Sequence, residues 1–243
     1  MPDLYDSIGK NYADFRRPDR RIAQKINHAL GAAQSILNVG AGAGSYEPPD
    51  RQITAIEPSI EMIKQRAVSD AITVQGIAED LPFDDGEFDA SMAVLTIHHW
   101  TDKNTGVKEM RRVTNGPVVF LTFDPCAKWF WLADYFPSLE ELDRQKMPRL
   151  EKFDEWFDNV DVEVVPIPAD CTDGFLAAYW KRPEAYLDAR VRGAMSSFSA
   201  IGEVSSGIAQ LAADLESRAW HQRYSDLMDL NELDCGYRLV IGR

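Results

Sequence analysis

Two adjacent histidines, His98 and His99, stand in the segment Leu95–Trp100, which reads "LTIHHW". Imidazole titrates close to neutral pH, so either ring could accept a proton as a general base. Alternatively, one ring lines a ligand pocket and the other is hydrogen-bonded structure. A metal site is disfavoured, because adjacent side chains on a strand point to opposite faces. We expect at most one of the two histidines to face a substrate, and no metal.

A glycine-rich turn, "NVGAGAGS", places Gly40, Gly42 and Gly44 directly after an apolar run. Glycines there allow a tight turn and a close approach of a ligand to the main chain. The dinucleotide pattern GxGxxG has Gly or Ala where Ser45 stands here. Glu57 ends the next apolar run, and a carboxylate at that place can accept hydrogen bonds from both hydroxyls of a ribose. The combination predicts a site for a cofactor that contains a nucleoside.

The elements that must position these residues are strands and helices in alternation. Apolar, β-like runs occupy five segments: Ser35–Val39, Ile53–Glu57, Ala71–Gln75, Phe88–Val94 and Pro117–Phe123. The segments Ser59–Ala67 and Thr105–Val113 have a helical pattern. This alternation predicts a parallel sheet with right-handed crossovers. The glycine turn, Glu57 and the histidine pair should therefore meet at the carboxyl ends of the strands, where such sheets bind ligands.

The last third of the sequence has a different pattern. A strand over Val162–Ile167 is followed by a helical region over about 174–229, and a strand over Gly236–Gly242 ends the chain. We interpret the whole chain, 1–243, as a single domain. Its predicted parts are N-terminal cap helices (1–30), a cofactor-binding half (31–124) and a helical substrate lid inserted before the last strand (168–232).

The order of these segments resembles that of a known family. With the glycine turn, the segments Ala55–Ser59 ("AIEPS"), Gly76–Asp89 ("GIAEDLPFDDGEFD") and Leu95–Trp100 resemble the signature segments of class I S-adenosylmethionine-dependent methyltransferases. The "LPF…FD" segment is similar to that of the small-molecule branch. The resemblance covers about Tyr5 to Asp124. It implies an α/β, Rossmann-like sheet of seven strands in the order 3-2-1-4-5-7-6, with the last strand antiparallel, flanking helices and a helical lid insert.

The resemblance also implies a set of site residues. The backbone around Gly40, Ala41 and Gly42 would face the methionine part of the cofactor, and Leu95 would lie beneath it. Glu57 would bind the ribose. Adenine would contact Met62, Ala78 and Glu79. The full predicted cofactor set is Asn38, Gly40, Ala41, Gly42, Glu57, Pro58, Met62, Ala78, Glu79 and Leu95.

Predicted substrate contacts come from three regions. Tyr5, Tyr12 and Arg16 belong to an N-terminal helix that, in similar proteins, closes over cofactor and substrate. Trp100 follows the histidine pair. Two aromatic-rich segments further along the chain add Trp131 and Trp180.

Three departures from the family pattern concern cofactor binding. Asn38 stands where an acidic residue is usual before the first glycine, so a charged partner for the cofactor's ammonium is missing. Ile77 stands where an acid would accept a hydrogen bond from adenine. Pro48 and Pro49 cannot lie inside a helix, so the first crossover helix should be cut to a turn or less.

Composition narrows the function classes. The net charge of the 243 residues is −13 without a basic stripe, which argues against nucleic acid as a partner. Three dispersed cysteines argue against a disulfide framework and fit a reducing cytoplasm. No apolar run is long enough to span a membrane, and the N-terminus lacks the features of a signal peptide.

The predicted function is methyl transfer from S-adenosyl-L-methionine to a small-molecule acceptor by in-line displacement, with S-adenosyl-L-homocysteine as the product. Two alternatives remain open at this point. One is an NAD(P)-dependent oxidoreductase with a Rossmann-type site. The other is a catalytically degenerate cofactor-binding or interaction protein.

Overall fold

The computed structural model describes residues 15–243. Its strands are β1 (Ser35–Val39), β2 (Gln52–Glu57), β3 (Ile72–Gln75), β4 (Ala90–Val94), β5 (Val118–Phe123), β6 (Val160–Val164), β7 (Ile167–Pro168), β8 (Glu232–Leu233) and β9 (Tyr237–Gly242). Its α-helices are α1 (Arg20–Ala29), α2 (Ile60–Lys64), α3 (Lys103–Val113), α4 (Leu132–Tyr135), α5 (Pro137–Lys146), α6 (Glu151–Trp156), α7 (Ala189–Gly193), α8 (Ser196–Ala200), α9 (Ser205–Glu216) and α10 (Ala219–Arg223). Short 3₁₀ helices cover Ile97–His99, Pro183–Leu187 and Ser225–Leu227.

A seven-stranded sheet in the order β3-β2-β1-β4-β5-β9-β6 organises the molecule. Strands β1 to β5 are parallel, and β9 pairs antiparallel with both β5 and β6. Numbered within this sheet alone, β9 is the seventh strand, so the order is 3-2-1-4-5-7-6. The predicted α/β topology is confirmed.

The central strands are apolar throughout because the sheet is covered on both faces. Alternate residues enter two different cores. Ile36 and Val119 pack in a cluster with α1 and the C-terminal helices, whereas Leu37 and Phe120 pack in a cluster with α3. All six residues of β5 are buried.

Helix starts are set by side chains that cap them. The Asp102 carboxylate accepts hydrogen bonds from the amides of Asn104 and Thr105 at the start of α3 (2.9 and 3.2 Å). The Ser59 hydroxyl accepts one from the Met62 amide at the start of α2 (3.3 Å). Such caps satisfy amides that have no partner within the helix. They begin both helices directly beside the carboxyl edge of the sheet.

The crossover from β1 to β2 contains turns instead of a helix, as the paired prolines predicted. Tyr46 within it has a φ of 66°, a left-handed conformation that is uncommon for residues other than glycine. Its ring is buried in the main core. The shortened crossover thus remains a packed part of the structure.

The part of the chain after β5 differs from the sequence prediction in two respects. Helices α4, α5 and α6 lie between β5 and β6, where no helix was predicted. The strand predicted over Val162–Ile167 is divided, because Pro166 has no amide hydrogen to continue the ladder. The chain leaves β6 at Val164, and β7 pairs with β8 in a separate two-stranded sheet.

Helices α7 to α10 follow β7 and pack with α4 and α5 around one aromatic cluster. The predicted lid, 168–232, falls on this region, and its function as a lid stays a prediction. Within residues 15–243, no helix is both long enough and apolar enough to cross a membrane.

Candidate active site

A cavity of about 400 Å³ opens at the carboxyl ends of β1 to β4. Its walls are the turns that follow these four strands, with Arg16 at one side and Asp102 at the other. The cleft of open α/β sheets lies at this place. We call it the large cavity.

The glycine turn forms its floor. Gly40 has a φ of +67°, and a Cβ at this position would lie 2.1 Å from the Thr96 hydroxyl oxygen. No side chain fits there. The amides of Gly40 and Ala41 both donate to the Ile56 carbonyl (2.9 and 3.0 Å), which ties the turn to β2. The main chain is therefore presented to the cavity in a fixed position.

The side-chain amide of Asn38 has one atom with a hydrogen-bond partner and one atom without. Its Nδ2 donates to Glu47 Oε1 (2.8 Å). Its Oδ1 is buried, and no described residue donates a hydrogen bond to it. Glu47 is in turn paired with Arg66 (2.7 Å), and both side chains are nearly buried. The shortened crossover thus supplies an acidic partner beside Asn38, and the free carbonyl oxygen belongs to a residue that lines the large cavity.

Glu57 is 5% exposed at the end of β2. Its Oε2 accepts from the Gly42 amide (2.8 Å) and its Oε1 from the Ser59 amide (2.9 Å). Burial raises the pKa of this carboxyl above its ordinary value, and the two backbone hydrogen bonds oppose that shift. Each carboxylate oxygen can accept further hydrogen bonds, so Glu57 is oriented and still able to bind a diol.

The far end of the large cavity is mostly apolar. Met62 and Ala78 are buried there, whereas Ile77 is half exposed. Glu79 Oε1 accepts from the amides of Thr101 and Asp102 (2.7 and 3.0 Å). The Glu79 side chain therefore connects the loops after β3 and β4.

Leu95 lies directly after β4 with a φ of 52°. Such a conformation is strained for leucine and persists when the surrounding structure holds it. Here the Leu95 amide donates to the Leu121 carbonyl (2.8 Å), so β5 fixes it. Leu95 lines the large cavity and also a smaller cavity of about 60 Å³ behind it.

The histidine pair lies on a 3₁₀ helix, with ring centroids 3.9 Å apart. His99 lines the large cavity and His98 the small one. Burial lowers the pKa of His99 to about 4 and holds that of His98 well below its ordinary value. Both rings are therefore neutral at physiological pH. No group of metal-ligating side chains occurs in the described part of the chain.

The small cavity is lined by side chains from distant parts of the chain. Three of them are aromatic, namely Phe123, Phe175 and Tyr237. Asp143, from α5, contributes a carboxyl group that is 4% exposed. Burial raises the pKa of Asp143 to about 7. This cavity combines aromatic walls with one acidic group.

Arg16 contacts both cavities and is held by a buried network. Its Nε donates to Asp173 Oδ1 (2.7 Å), and the Tyr46 hydroxyl donates to Asp173 Oδ2 (2.8 Å). Asp173 is 1% exposed. The network joins the N-terminal segment, the β1–β2 crossover and the C-terminal region at the boundary between the two cavities.

Comparison with known proteins identifies the family. The sequence model of a family described as "Methyltransferase domain" matches residues 37–120. A crystal structure from Anabaena variabilis ATCC 29413, assigned as a methyltransferase from an antibiotic biosynthesis pathway, is 35% identical with a TM-score of 0.88. The match covers 94% of this chain and 99% of that one. This chain belongs to the class I S-adenosylmethionine-dependent methyltransferases. An oxidoreductase function is therefore set aside.

Two further proteins are similar to this methyltransferase at lower sequence identity. 2-Methyl-6-phytyl-1,4-hydroquinone methyltransferase 1 of Oryza sativa is 26% identical over 177 residues, which are 68% of this chain and 51% of that protein. The chain spans about half the length, or less, of the first curated relatives it matches. Phosphoethanolamine N-methyltransferase 2 of Haemonchus contortus, solved with S-adenosyl-L-methionine, shares the fold at 15% identity and a TM-score of 0.58; the match covers 100% of this chain and 56% of that one.

The large cavity of the methyltransferase fits the family's cofactor. The Gly40 position leaves no room for a side chain where the cofactor's amino acid part must approach. The unpartnered Oδ1 of Asn38 leaves a buried hydrogen-bond acceptor in this cavity, which suits the predicted contact with an ammonium group. Glu57 lines the same cavity with an oriented carboxylate, which suits the predicted contact with a ribose. Predicted cofactor residues that line this cavity are Asn38, Gly40, Ala41, Gly42, Glu57, Pro58, Met62, Ala78, Glu79 and Leu95; their binding functions remain predictions.

The structure separates the predicted substrate residues. Tyr5 and Tyr12 lie outside the described residues. Trp100 lines the large cavity, on the cofactor side. Trp131 and Trp180 differ from the prediction, because neither lines either cavity. Trp131 Nε1 donates to the Trp180 carbonyl (2.6 Å) and Trp180 Nε1 to the Ile167 carbonyl (2.8 Å) within the aromatic core.

Sequence reasoning missed Asp143. A signal was available, because Leu139, Asp143 and Met147 follow one another at intervals of four and share one helical face. Leu139 and Asp143 are buried, whereas Glu140, Glu141 and Arg144 on the other face carry ion pairs. An acidic residue in an apolar stripe is the unusual feature. Its significance required knowing that α5 borders a cavity.

Proposed function

We propose that this methyltransferase transfers the methyl group of S-adenosyl-L-methionine to a small molecule bound in the small cavity. The observation that carries the proposal is the arrangement of the two cavities, which share Leu95 and Arg16. A cavity with the features of a cofactor site thus adjoins an aromatic pocket of a size for part of a small molecule. The hydroquinone named for the rice relative supports a small-molecule acceptor.

When bound, S-adenosyl-L-methionine supplies an electrophilic methyl group. The protein's contribution is to hold and align the two reactants, which is the main requirement for an in-line displacement. Asn38 anchors the ammonium group of the cofactor, and Glu57 anchors its ribose. Leu95 and the Arg16–Asp173 pair shape the passage between the cavities. Phe123, Phe175 and Tyr237 exclude water around the acceptor.

A base is required only when the acceptor must lose a proton. His98 lines the acceptor side, so any proton transfer to a histidine falls to this residue and not to His99. The Nδ1 of His98 is buried and receives no hydrogen bond within the described chain. Burial lowers the pKa of this ring, so it is neutral and a weaker base than free imidazole. His99 instead forms part of the cofactor wall.

Calorimetry with S-adenosyl-L-methionine, S-adenosyl-L-homocysteine and NAD tests the proposal. We expect both methionine-derived ligands to bind, and NAD not to bind. Incubation with a broad panel of small acceptors should then yield methylated products, detected by mass spectrometry. Tight cofactor binding without turnover on any acceptor would favour the degenerate alternative, and binding of NAD alone would contradict the methyltransferase function.

We also propose a cytoplasmic location. Cys126, Cys171 and Cys235, all within the described residues, are free thiols, and two of them are buried. Free thiols are typical of reducing compartments. Fractionation of cells that express the native gene tests this.

A further inference from the structure

Asp143 is a buried acidic residue whose carboxyl group makes no stabilising polar contact with the described residues. Its side chain is 4% exposed. No hydrogen bond or ion pair reaches its carboxyl group from anywhere in residues 15–243, and burial alone accounts for its raised pKa. An ionised carboxylate in such surroundings is unfavourable unless a partner compensates it. The missing partner must come from outside the described chain.

A neighbouring acidic residue on α5 has the ion pair that Asp143 lacks. On the same helix, Glu140 accepts a hydrogen bond from Arg144 (2.6 Å) and is partly exposed. Asp143 instead faces inward, next to the aromatic side chains of the small cavity. An apolar residue at this place would pack without any desolvation penalty. A carboxyl group at this place therefore points to a ligand.

A second polar atom without a partner lines the same cavity. The Nδ1 of His98 is buried and has no hydrogen-bond partner among the described residues. Buried polar groups in proteins are nearly always hydrogen-bonded. Two such groups around one cavity, from β4's end and from α5, indicate a site that is completed by a polar ligand.

The surroundings favour a cation. Among residues 15–243, Arg16 is the cationic side chain that lines the small cavity, and its guanidinium is engaged with Asp173 (2.7 Å). Lys103 and Lys146 contribute to the lowered pKa of His98 but do not line this cavity. Phe123, Phe175 and Tyr237 present aromatic rings, which attract cations through their faces. A protonated amine would supply the counter-charge for Asp143 and donate hydrogen bonds to it.

We propose that Asp143 binds the amino group of the methyl acceptor, so the acceptor is a small amine with an aromatic or apolar body. This rests on the proposed methyl transfer. The cavity volume of about 60 Å³ is below the roughly 150 Å³ that holds a benzene molecule. The cavity therefore admits only the amine end of the acceptor.

The same carboxylate suits the chemistry of an amine acceptor. An ammonium has no free electron pair, so it must lose a proton before it accepts a methyl group. Transfer of that proton to Asp143 breaks an N–H bond and forms an O–H bond. It leaves a neutral amine with a free electron pair and a neutral carboxyl, so no net charge is created in the cavity.

The test compares phenethylamine with its neutral analogue 2-phenylethanol on the full-length protein saturated with S-adenosyl-L-homocysteine. Binding is measured by calorimetry or by ligand-observed NMR for wild type, Asp143→Asn and Glu141→Gln. The last variant removes a charge from the exposed face of the same helix and serves as the matched control. We expect wild type to prefer the amine, Asp143→Asn to weaken amine binding by about tenfold or more, and Glu141→Gln to leave it unchanged.

Three outcomes overturn the proposal. They are equal binding of the amine and the alcohol by wild type, an unchanged amine affinity in Asp143→Asn, and no binding of phenethylamine by wild type at millimolar concentration. Thermal unfolding shows that each variant is folded. The S-adenosyl-L-homocysteine titration is scored separately, and the amine titration is repeated without it. Failure of wild type to bind S-adenosyl-L-homocysteine would contradict the proposed methyl transfer. The amine titration without this ligand would still show whether amine binding depends on Asp143.

Discussion

The two cavities are built in opposite ways. The large cavity is formed by main chain and short turns from one continuous stretch of the sequence, from Asn38 to Asp102, together with Arg16. The small cavity collects side chains from segments as distant as Arg16, Asp143 and Tyr237. Ends of successive parallel strands must lie side by side, so local motifs predict the first cavity. Only the packing of helices on the sheet brings the second one together.

The polar groups of the two cavities differ as well. Glu57 and Glu79 each accept two backbone hydrogen bonds inside the protein. Asp143 and the Nδ1 of His98 accept none from the described residues. Apart from the Oδ1 of Asn38, the large cavity is organised before any ligand binds, whereas the small cavity carries mainly groups that a ligand must satisfy. Each of the following predictions tests this contrast.

Gly40→Ala should have the largest effect. The new Cβ would meet the Thr96 hydroxyl oxygen at 2.1 Å in a backbone with positive φ. We expect a destabilisation of about 3 kcal/mol or more and the loss of S-adenosyl-L-homocysteine binding, measured by thermal unfolding and calorimetry. Gly193→Ala, on α7 with no atom within 4 Å of the new Cβ, is the control and should change neither. A folded Gly40→Ala protein with normal affinity would break the argument for the turn.

Asp143→Asn should stabilise the protein at neutral and higher pH. The folded-state pKa of about 7 exceeds the ordinary value of 3.8, so the folded state binds the proton more tightly than the unfolded state. The wild-type protein therefore loses stability as the pH rises from about 4 to about 7. We expect the variant to be more stable by about 3 kcal/mol near pH 8, and this gain to shrink toward pH 4. Chemical unfolding across this range measures it, and a gain that does not depend on pH would contradict a raised pKa.

Alanine substitutions should separate the two histidines. His98→Ala should lower turnover on an acceptor by about 10² with little change in S-adenosyl-L-homocysteine affinity, because the ring lines the small cavity. His99→Ala should instead weaken cofactor affinity, because its ring lines the large cavity. The kinetic and calorimetric constants of both variants provide the measurement, and the reverse pattern would show that the assignment of rings to cavities is wrong.

Asn38→Ala should weaken S-adenosyl-L-homocysteine binding by about tenfold, because it removes one hydrogen-bond acceptor for the ammonium group. Asn27→Ala is a matched control, since Asn27 on α1 also has a buried, unpartnered Oδ1 but lines neither cavity. Calorimetry should show normal affinity for this control. Equal losses in the two variants would point to a general effect on the fold.

Ile77→Asp should give the smallest change, and in the opposite direction. Ile77 is half exposed on the wall of the large cavity, so the new carboxylate has access to the adenine amine without disturbing the core. We expect cofactor affinity to rise about threefold. A cofactor analogue without the 6-amino group should show no gain, and an equal gain with that analogue would exclude a contact with the amine.

Much of the cofactor half could be predicted because its determinants are local. The run "SILNV" forms a strand with the predicted bounds Ser35–Val39, and Pro48 and Pro49 exclude a helix from the first crossover. The compensation for Asn38 could not be predicted. Glu47 reaches Asn38 across the turn, and Arg66, from the end of the following helical segment, is paired with the same carboxylate.

Prediction was weaker for the part of the chain after β5, because the sequence does not show whether an aromatic residue there belongs to the core or to a pocket. Trp131 and Trp180 were assigned to the substrate, yet their indole N–H groups are satisfied by carbonyls of the core. Aromatic side chains suit both a core and a pocket. Which of the two they form depends on the neighbouring helices.

The sequence by itself determined the alternation of strands and helices, the glycine turn and the acid at the end of β2, because strand periodicity and backbone freedom act over a few residues. The order of the strands followed from the resemblance to a known family. The tertiary structure decided which histidine faces which cavity, how Asn38 acquires its acidic partner and where Asp143 lies. These features depend on contacts between residues far apart in the chain. The small cavity around Asp143 exists only after the helices that follow β5 pack against the carboxyl edge of the sheet, whereas Asn38 obtains its partner Glu47 from the β1–β2 crossover.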